Sequence, residues 1–492
     1  MSTNVTLPKP PYVMIAILFF GAFVSFLNNS LMNVALPTIM LDFGIEDYSI
    51  VQWLSTGYML VSGILIPVSA FLLLKFTNRT LFITSMTIFT IGTVIAAIAP
   101  NFGILLAGRM AQAAGSAAMS PLLMNVMLVS FPREKRGAAM GIFGLVMITA
   151  PALGPTLSGY IVEFYNWRLL FEMIIPFGVI SVLLAIWKLK NVMPTQSVKL
   201  DYFSVVLSTL GLGGLLYGCS MASSSGWSDS VVISTIVIGA IALTLFILRQ
   251  FMMDQPLLDL RVYKHPMFAL GSAISVVNAV AMFSGMILTP AYVQSVRGIS
   301  PLDSGLMMLP GALIMALMMP ITGKLFDKYG PRMLSFVGLT ITALATYMLS
   351  HLQIDSSYNY IILIYSLRMF GISMVMMPIM TNGMNQLPTR LNPHGTAVNN
   401  TIQQVAGAIG TAIFVTIMNS HAAKGAAKLM AGLDPTAIGV EQMASIKQQA
   451  LLEGIQYTFL IATFTSIVAL LLSFFMKRVD VSKAALAKIE AE

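Results

Sequence analysis

Charge is scarce in this sequence: Lys, Arg, Asp and Glu together make up 9% of its 492 residues. A soluble protein of this length needs a more polar and more highly charged surface than that. Apolar residues instead make up 57% of the chain, and a helix that crosses a membrane takes about 20 of them. The composition excludes a set of soluble domains and predicts an all-α polytopic membrane protein.

Cysteine is almost absent. Cys219 is the one cysteine of the chain, so it has no partner for an intrachain disulfide, and its apolar surroundings predict a buried, inert thiol. The formal net charge is +8, which in a soluble chain would suggest nucleic acid as a partner. Here the basic residues lie between apolar runs, so they indicate membrane topology and no nucleic acid is expected.

Motifs for cofactor or metal chemistry are also missing. The sequence has no G-x-x-x-x-G-K-[ST] segment that would cradle a nucleotide phosphate. Its histidines lie far apart, at positions 265, 351, 394 and 421, which argues against a metal site. The sequence therefore predicts neither an enzyme nor a bound cofactor, and an ion gradient or the substrate's own gradient remains as the energy source.

Long apolar runs are what the chain has in abundance. Runs of about 20 residues, separated by charged or Pro/Gly-rich breaks, predict fourteen spans. They are 13–36, 51–74, 80–99, 103–131, 137–160, 169–187, 203–222, 231–251, 267–293, 303–326, 332–350, 359–386, 396–419 and 455–476.

The loops between these spans predict the orientation. An even number of spans places both termini on one side, and about 20 of the basic residues fall on that side, which the positive-inside rule assigns to the cytoplasm. We therefore expect a multi-pass protein in the plasma membrane of a prokaryote, with both termini cytoplasmic. The lipid bilayer is its expected surroundings.

The chain repeats itself at low resolution. A short basic turn, Ala70 to Arg79 (AFLLLKFTNR), follows the second span, and its counterpart, Gly323 to Arg332 (GKLFDKYGPR), follows the tenth. Arg109 in the fourth span is echoed by Arg368 in the twelfth. These echoes predict two six-helix bundles that rock around a central site.

The repeats set the expected domain boundaries. The first bundle covers residues 1–190, two inserted spans cover 191–260, the second bundle covers 261–478, and a cytoplasmic tail covers 479–492. In the second bundle the extracellular loop 420–454 is rich in Ala, Lys, Gln and Met, which predicts a solvated or interfacial helical hairpin.

Several motifs resemble those of a known family. Gly141 to Gly159 (GIFGLVMITAPALGPTLSG) resembles the antiporter signature of the major facilitator superfamily, and the two basic turns resemble its G-x-L-x-D-R-x-G-R signature. Together with LNNSLMNVALP, QWLSTGYML, WRLLF and GTAVNNTIQQVAGAIG, the set is similar to the fourteen-span drug:proton antiporters. The resemblance implies a major facilitator fold and a monomeric exporter of small amphipathic molecules in exchange for protons.

The chain departs from that family at its carboxylates. The family has Asp where this chain has Asn28, and Leu74 replaces the Asp of the first basic turn. The resemblance still implies that the turns control conformation, through Lys75, Arg79, Gly323, Asp327 and Arg332.

Three residues are candidates for proton coupling. Ionisable groups within spans are costly and are therefore functional candidates. At ~1.5 Å per residue, Asn28 lies about 12 Å, Arg109 about 9 Å and Glu172 about 6 Å from the outer surface, so they could meet. Glu172 is the candidate proton carrier. The alternative is that it reaches the outer surface or pairs with Arg168.

Helix bending and polar side chains indicate further positions. Gly154 and Pro155 suit a helix at a gating interface, the alternative being ordinary close packing. Asp303 is a candidate second proton site, and Arg368 is expected to be structural. Neutral polar or aromatic residues within spans are candidates for substrate contact, or for tying helices together: Asn29, Asn33, Gln52, Trp53, Tyr58, Asn278, Asn400, Gln403 and Gln404, besides Asn399.

These features predict a proton-coupled exporter of amphipathic, cationic or weakly basic drugs, working by alternating access. The abundant Met and aromatic residues would supply an adaptable lining. One alternative is an exporter of a physiological lipid, metabolite or peptide. A remote alternative is a non-transporting membrane sensor on the same fold.

Overall fold

A computed structural model describes residues 11–46, 48–193, 195–431 and 440–480, apart from the side chains of residues 33, 48, 49, 223–225, 301 and 440. Short 3-10 turns lie at Arg133–Lys135, Leu260–Lys264 and Thr389–Leu391, and a π turn lies at Tyr292–Val296. The α-helices are α1 (Tyr12–Asp42), α2 (Tyr48–Lys75), α3 (Asn78–Ala97), α4 (Phe102–Ser116), α5 (Met119–Ser130), α6 (Arg136–Phe164), α7 (Leu169–Glu172), α8 (Ile174–Lys188), α9 (Tyr202–Ser225), α10 (Ser230–Met252), α11 (Pro266–Ala291), α12 (Pro301–Tyr329), α13 (Pro331–Leu349), α14 (Tyr358–Ser373), α15 (Met376–Asn385), α16 (Asn392–Met430) and α17 (Val440–Ser473).

Within the described residues, fourteen helical segments are long and apolar enough to span a membrane, which confirms the all-α polytopic prediction. Three of the predicted spans are built from two helices each: α4 with α5, α7 with α8, and α14 with α15. In the fourth span the break lies at Ala117 and Ala118, and in the twelfth it lies at Met374 and Val375. The two breaks occupy equivalent places in the two predicted repeats.

The helices form two bundles and an inserted pair. Helices α1–α8 make the first bundle, α11–α17 make the second, and α9 and α10 pack closely on each other. Helix α9 also contacts α2 and α16, one helix from each bundle. Helix α10 packs mainly on α9 and keeps much of its apolar surface exposed.

The two bundles pack against each other most extensively along α6 and α12. Small residues allow this approach: a Cβ atom on Gly323 would overlap the carbonyl oxygen of Gly137, and one on Gly141 would lie 2.5 Å from the carbonyl oxygen of Met319. Close backbone contact through small residues is a common way for helices to associate in membranes.

Polar residues cap several helices locally. Asp201 accepts a hydrogen bond from the amide of Ser204 at the start of α9, and Asp229 accepts from Val231 and Val232 at the start of α10. Asn101 caps α4 in the same way. Such caps satisfy amides that have no partner within the helix.

The predicted hairpin 420–454 is helical where the structure describes it. Helix α16 continues to Met430, and α17 begins at Val440, well before the predicted start of the last span. His421 on α16 stacks on Tyr457 of α17, with 4.1 Å between the ring centroids. The loop is therefore largely an extension of two spanning helices.

Candidate functional site

A central cavity of about 350 Å³ lies between the two bundles. Helices of both bundles contribute to its wall. The lining residues are Phe26, Asn29, Tyr58, Met59, Ser62, Ile66, Ser116, Ala117, Ser120, Pro121, Met147, Pro151, Ser275, Asn278, Ala279, Met282, Phe283, Val375, Met376, Ile379, Asn400, Gln403 and Gln404.

Six of the nine predicted substrate residues line this cavity: Asn29, Tyr58, Asn278, Asn400, Gln403 and Gln404. The Oδ1 atom of Asn278 is buried and accepts no hydrogen bond from the described residues. The Nδ2 atom of Asn400 lies 3.5 Å from the Oγ of Ser120, so this pair connects the two bundles. The cavity therefore presents amide groups from both bundles to one space.

The other three predicted substrate residues lie elsewhere or are not described. Gln52 lines a separate chamber beside the central cavity. Trp53 packs against Tyr217 of α9, with ring centroids 5.6 Å apart. The side chain of Asn33 lies outside the described residues, and Asn399 is buried with its Nδ2 3.4 Å from the sulfur of Met380.

Sequence reasoning missed several small and aromatic lining residues: Phe26, Ser62, Ser116, Ser120, Ser275 and Phe283. Helical spacing was the available signal. Phe26 precedes Asn29 by three residues and Ser62 follows Tyr58 by four, so each pair shares a helix face. The predicted polar residues mark these faces, and their neighbours one turn away belong to the same wall.

Arg109 lies fully buried behind the cavity wall. Its Nε donates to the carbonyl oxygen of Leu54 at 3.2 Å, and its Nη1 donates to the Oε1 of Gln112 at 2.8 Å. The guanidinium also lies 4.4 Å from the ring centroid of Tyr58, which is within cation–π range. Since the Tyr58 hydroxyl donates to Ser116 at 2.6 Å, Arg109 supports two lining residues from behind.

Asn28, Arg109 and Glu172 could meet by their depth, but no hydrogen bond joins them among the described residues. Glu172 is exposed, and Asn28 is buried with an Nδ2 that has no hydrogen-bond partner among the described residues. Neither provides a described hydrogen bond to Arg109. Counting along a helix gives the depth of a residue but not the side of the helix on which it lies.

Arg168 does not pair with Glu172 either. It forms a 2.9 Å ion pair with Asp42, at the end of α1, and donates to the carbonyl oxygen of Ala99 at 3.1 Å. The hydrogen bond from Arg168 holds the pKa of Asp42 below its ordinary value, with help from the Trp167 indole. Arg168 therefore ties α1 to the α3–α4 turn.

The predicted gate residue Asp327 lies at one end of the molecule, which we call the basic end: the end that carries Lys75, Arg79, Arg133, Arg136, Lys328 and Arg332. Here Asp327 of α12 accepts hydrogen bonds from the backbone amides of Gly137, at 2.9 Å, and Ala138, at 3.0 Å. Both amides lie in the first turn of α6, where the helix dipole favours a negative charge. The carboxylate thus joins the two bundles.

A pair of arginines reinforces this junction. Arg133 donates to the carbonyl oxygens of Asn385 and Leu387, both at 3.1 Å, and Arg136 donates to the Oδ1 of Asn385 at 3.1 Å. Both arginines are buried. From the sequence alone, these arginines serve only to predict which side of the membrane the loop lies on. Their place directly before a predicted gating helix is the sequence signal that they also join the two bundles.

The first basic turn is arranged differently from the second. Lys75 is exposed and lies 5.3 Å from the Phe71 ring centroid, while Arg79 donates to the carbonyl oxygen of Ile186 at 2.6 Å within the first bundle. Arg332 is exposed. The second turn therefore joins the two bundles through the carboxylate of Asp327, whereas no described hydrogen bond of the first turn reaches the second bundle.

Three further residues predicted to act in gating, Arg368, Gly154 and Pro155, contact neighbouring helices. Arg368 is fully buried and donates to Thr346 at 3.1 Å and to the carbonyl oxygen of Ala281. A Cβ on Gly154 would overlap Ser30 of α1, and Pro155 lies beside Gly305 of α12.

Asp303 also stands apart from the cavity. Its carboxylate accepts a hydrogen bond from the Ser300 hydroxyl at 2.9 Å, at the exposed start of α12. This contact is that of a helix-capping pair, and Asp303 is not among the residues that line the central cavity.

The sequence model of the Major Facilitator Superfamily matches residues 18–411 of this chain. The chain belongs to this superfamily. It is 49% identical over 413 residues to the MFS-type transporter YhcA of Bacillus subtilis (strain 168), which covers 84% of this chain and 77% of that protein. It is 43% identical over 471 residues to the lincomycin resistance protein LmrB of the same organism, covering 95% of this chain and 96% of that protein.

The fold agrees with that of solved superfamily members. The proton:xylose symporter XylE superimposes with a TM-score of 0.64 at 12% identity, covering 97% of this chain and 98% of that chain. This superfamily member is therefore a multi-pass membrane transporter and not an enzyme, and its relatives include drug resistance proteins.

Proposed function

We propose that this transporter exports amphipathic drugs, lincomycin among them, across the membrane by alternating access, in which the central cavity opens to one side of the membrane and then to the other. The observation that carries the proposal is the cavity itself, about 350 Å³ of space lined by Met and Phe side chains and by amides from both bundles. Soft apolar side chains adapt to ligands of different shapes. Relatives named for drug resistance support the same class of substrate.

The cavity selects by shape and hydrogen bonding more than by charge. Its described lining contains no Asp, Glu, Lys, Arg or His residue. A cation bound there would lack a counter-charge at low dielectric, which is costly. We therefore refine the substrate class to uncharged molecules and weak bases bound in their neutral form, with the Oδ1 of Asn278 as one acceptor.

We further propose that export is coupled to protons through Asp327. Its carboxylate joins α12 to the first turn of α6, and protonation would remove the negative charge that the helix dipole favours. A proton would thereby loosen the junction at the basic end. The excess of basic residues in the loops at this end favours a cytoplasmic location for it, and for both termini, in a prokaryotic plasma membrane.

Transport should be measured with the full chain in proteoliposomes. Labelled lincomycin should accumulate against its concentration gradient when a pH gradient is imposed, and dissipating that gradient should abolish accumulation. Asn278→Ala should raise the half-saturating concentration by up to about tenfold, as expected for one lost hydrogen bond. Met286→Ala, on the exposed face of the same helix, is the matched control. Specific binding without movement of lincomycin would contradict transport and favour a sensor.

Coupling has its own test. Asp327→Asn should abolish accumulation driven by the pH gradient and flatten the pH dependence of transport, while lincomycin still exchanges down its gradient. The neutral amide imitates a permanently protonated carboxyl group. Asp303→Asn, at the other end of α12, should keep coupled transport. Normal accumulation by Asp327→Asn would refute the assignment of coupling to Asp327.

A further inference from the structure

A second chamber of about 180 Å³ lies beside the central cavity. We call it the side chamber. Its wall is formed by α2 and α11, by α16, and by Leu216, Cys219 and Ser220 of the inserted helix α9. It is therefore a space to which both bundles and the inserted pair contribute.

The side chamber shares a wall with the central cavity. Met59, Phe283 and Gln404 line both spaces. Met59 keeps 40% of its surface exposed, and a methionine side chain adapts its shape readily. The two spaces are therefore adjacent at these residues, and a change of the Met59 rotamer would alter the wall between them.

Helix α9 is built closely into this region. Trp53 of α2 packs on Tyr217 of α9, and a Cβ on Gly63 of α2 would lie 2.5 Å from Leu216. On the other side, the Nε1 of Trp227, just after α9, donates to the Thr416 hydroxyl of α16 at 2.6 Å. The inserted helix thus closes the seam between α2 and α16 instead of lying loosely in the lipid.

We propose that the side chamber is a second substrate subsite, which takes one part of an amphipathic drug while the central cavity holds the rest. This inference rests on the proposed export function and gives the inserted helix a role in selecting substrates. The wall is mixed: Leu216, Met59 and Phe283 contribute large apolar surfaces, while Gln52, Thr56 and Thr411 contribute polar groups, so it suits a part of a drug that carries both.

Cys219 makes the subsite testable, because it is the chain's one cysteine and, although it is buried within the protein as the sequence predicts, it lines the side chamber, so a small reagent reaches it through that chamber. Purified full-length protein should be alkylated with N-ethylmaleimide, and the modified fraction followed by mass spectrometry. Lincomycin at ten times its dissociation constant should slow alkylation of Cys219 about tenfold, in proportion to the free fraction.

Two single-cysteine variants in a Cys219→Ser background serve as references. Ala279→Cys reports on the central cavity, and Ile241→Cys lies on the exposed face of α10. Lincomycin should slow alkylation of the Ala279→Cys variant and leave that of the Ile241→Cys variant unchanged. Protection in the Ala279→Cys variant without protection of Cys219 would overturn the subsite and leave the export function standing. Protection at neither position would overturn both.

A variant that fills the side chamber gives an independent readout. Ser220→Leu should raise the half-saturating lincomycin concentration about tenfold or more, as the loss of roughly 1.4 kcal/mol of binding requires. Ser234→Leu, on exposed helix α10, is the matched control and should transport normally. Unchanged lincomycin transport by a folded Ser220→Leu variant would overturn the subsite.

Discussion

At the scale of single residues, Arg109 is held by neutral oxygen atoms, those of Leu54 and Gln112, and by the Tyr58 ring. A planar guanidinium meets all three at once, whereas an ammonium group is a point charge on a flexible stem. The residue therefore has a geometric role that its charge alone does not explain.

Arg109→Lys should reduce lincomycin efflux nearly as much as Arg109→Ala does, by about tenfold or more, because hydrogen bonds to charged groups contribute roughly 1.5–3 kcal/mol each. Initial rates in proteoliposomes measure this. Thermal unfolding in detergent controls for loss of the fold. Efflux by Arg109→Lys at the wild-type rate would reduce the role of Arg109 to that of a simple charge.

Glu172→Gln should keep coupled transport close to the wild-type rate. The reason is that Glu172 is exposed, and Arg168 pairs with Asp42 instead of with Glu172. The measurement is lincomycin accumulation at a fixed pH gradient, compared with Asp327→Asn in the same vesicles. Loss of uphill transport in Glu172→Gln would support Glu172, and not Asp327, as the proton carrier.

The sequence predicts how far along a helix a residue lies better than it predicts the side of the helix on which the residue lies. Asn278, Asn400, Gln403 and Gln404 stand out because amides are rare in apolar spans, and they line the cavity. Glu172 stands out because an ionisable group within a span is costly, yet it lies on an exposed side of its helix. Neighbouring helices decide which side is buried, and a single sequence does not contain their arrangement.

At the scale of helices, the bundles approach each other very closely at Gly137 of α6 and Gly323 of α12. The carbonyl oxygen of Gly137 lies where a Cβ on Gly323 would be. Closure of the basic end therefore depends on the absence of a single methyl group.

Gly323→Ala should weaken closure of the basic end by about 1–3 kcal/mol, the usual cost of overpacking. Uphill efflux should fall. In a variant whose one cysteine is moved to position 319, by Cys219→Ser and Met319→Cys, Gly323→Ala should also make the thiol more accessible to a reagent added at the basic end. Gly159→Ala is the control, because its Cβ would lie 3.2 Å from the flexible end of Leu302. Equal transport by the two alanine variants would argue against a gate at Gly323.

The inserted pair has its own stabilising contact. Asp201 at the start of α9 forms an ion pair with Arg249 of α10, at 2.8 Å. The hydrogen bond from the Arg249 guanidinium lowers the pKa of Asp201 to about 2. This depressed pKa means that the pair stabilises the fold above the ordinary Asp pKa of about 4, and that its contribution is lost as the pH falls through about 2.

Asp201→Asn should therefore lower stability at neutral pH by about 0.5–1 kcal/mol, because solvent screens a partly exposed ion pair. The difference from the wild type should shrink as the pH falls from about 4 towards 2. The asparagine can still cap α9, so the ion pair alone is removed. Thermal unfolding in detergent at several pH values measures the effect, with Asp229→Asn at the cap of α10 as the control. A difference that persists undiminished in acid would exclude the ion pair as its source.

Helix identity is predictable because spans are long and uniformly apolar, and all fourteen are present. Their ends are less predictable. The apolar run predicts the last span at 455–476, but α17 begins at Val440, since helix-forming residues such as Ala, Gln and Lys continue the helix beyond the apolar stretch. An apolar run predicts the part of a helix that lies in the membrane, whereas the helix itself extends as far as its backbone hydrogen bonds continue.

At the scale of the whole molecule, the two bundles meet along two seams that differ. Along α6 and α12 the bundles touch directly through glycines. Along α2 and α16 the inserted helix α9 also packs on both. The repeats of basic turns and arginines predict two bundles, but they carry no information about where the insertion docks.

Superfamily membership follows from motifs in the correct order, because each motif serves a position that the fold requires, such as a close helix approach or a basic turn. The substrate does not follow in this way. The proposed recognition of drugs depends on cavity shape and on a few amides, and many arrangements of Met and Phe residues fill such a wall equally well.

Arg109 has one more consequence, which concerns inorganic ions. A space of about 350 Å³ accommodates water as readily as a drug, and hydrated alkali cations would follow water through any carrier that opened too far. The guanidinium behind Tyr58 places a permanent positive potential beside that water, in the manner of arginines that exclude cations from water pores. We therefore expect the same side chain that shapes the wall to oppose a leak of alkali cations across the membrane.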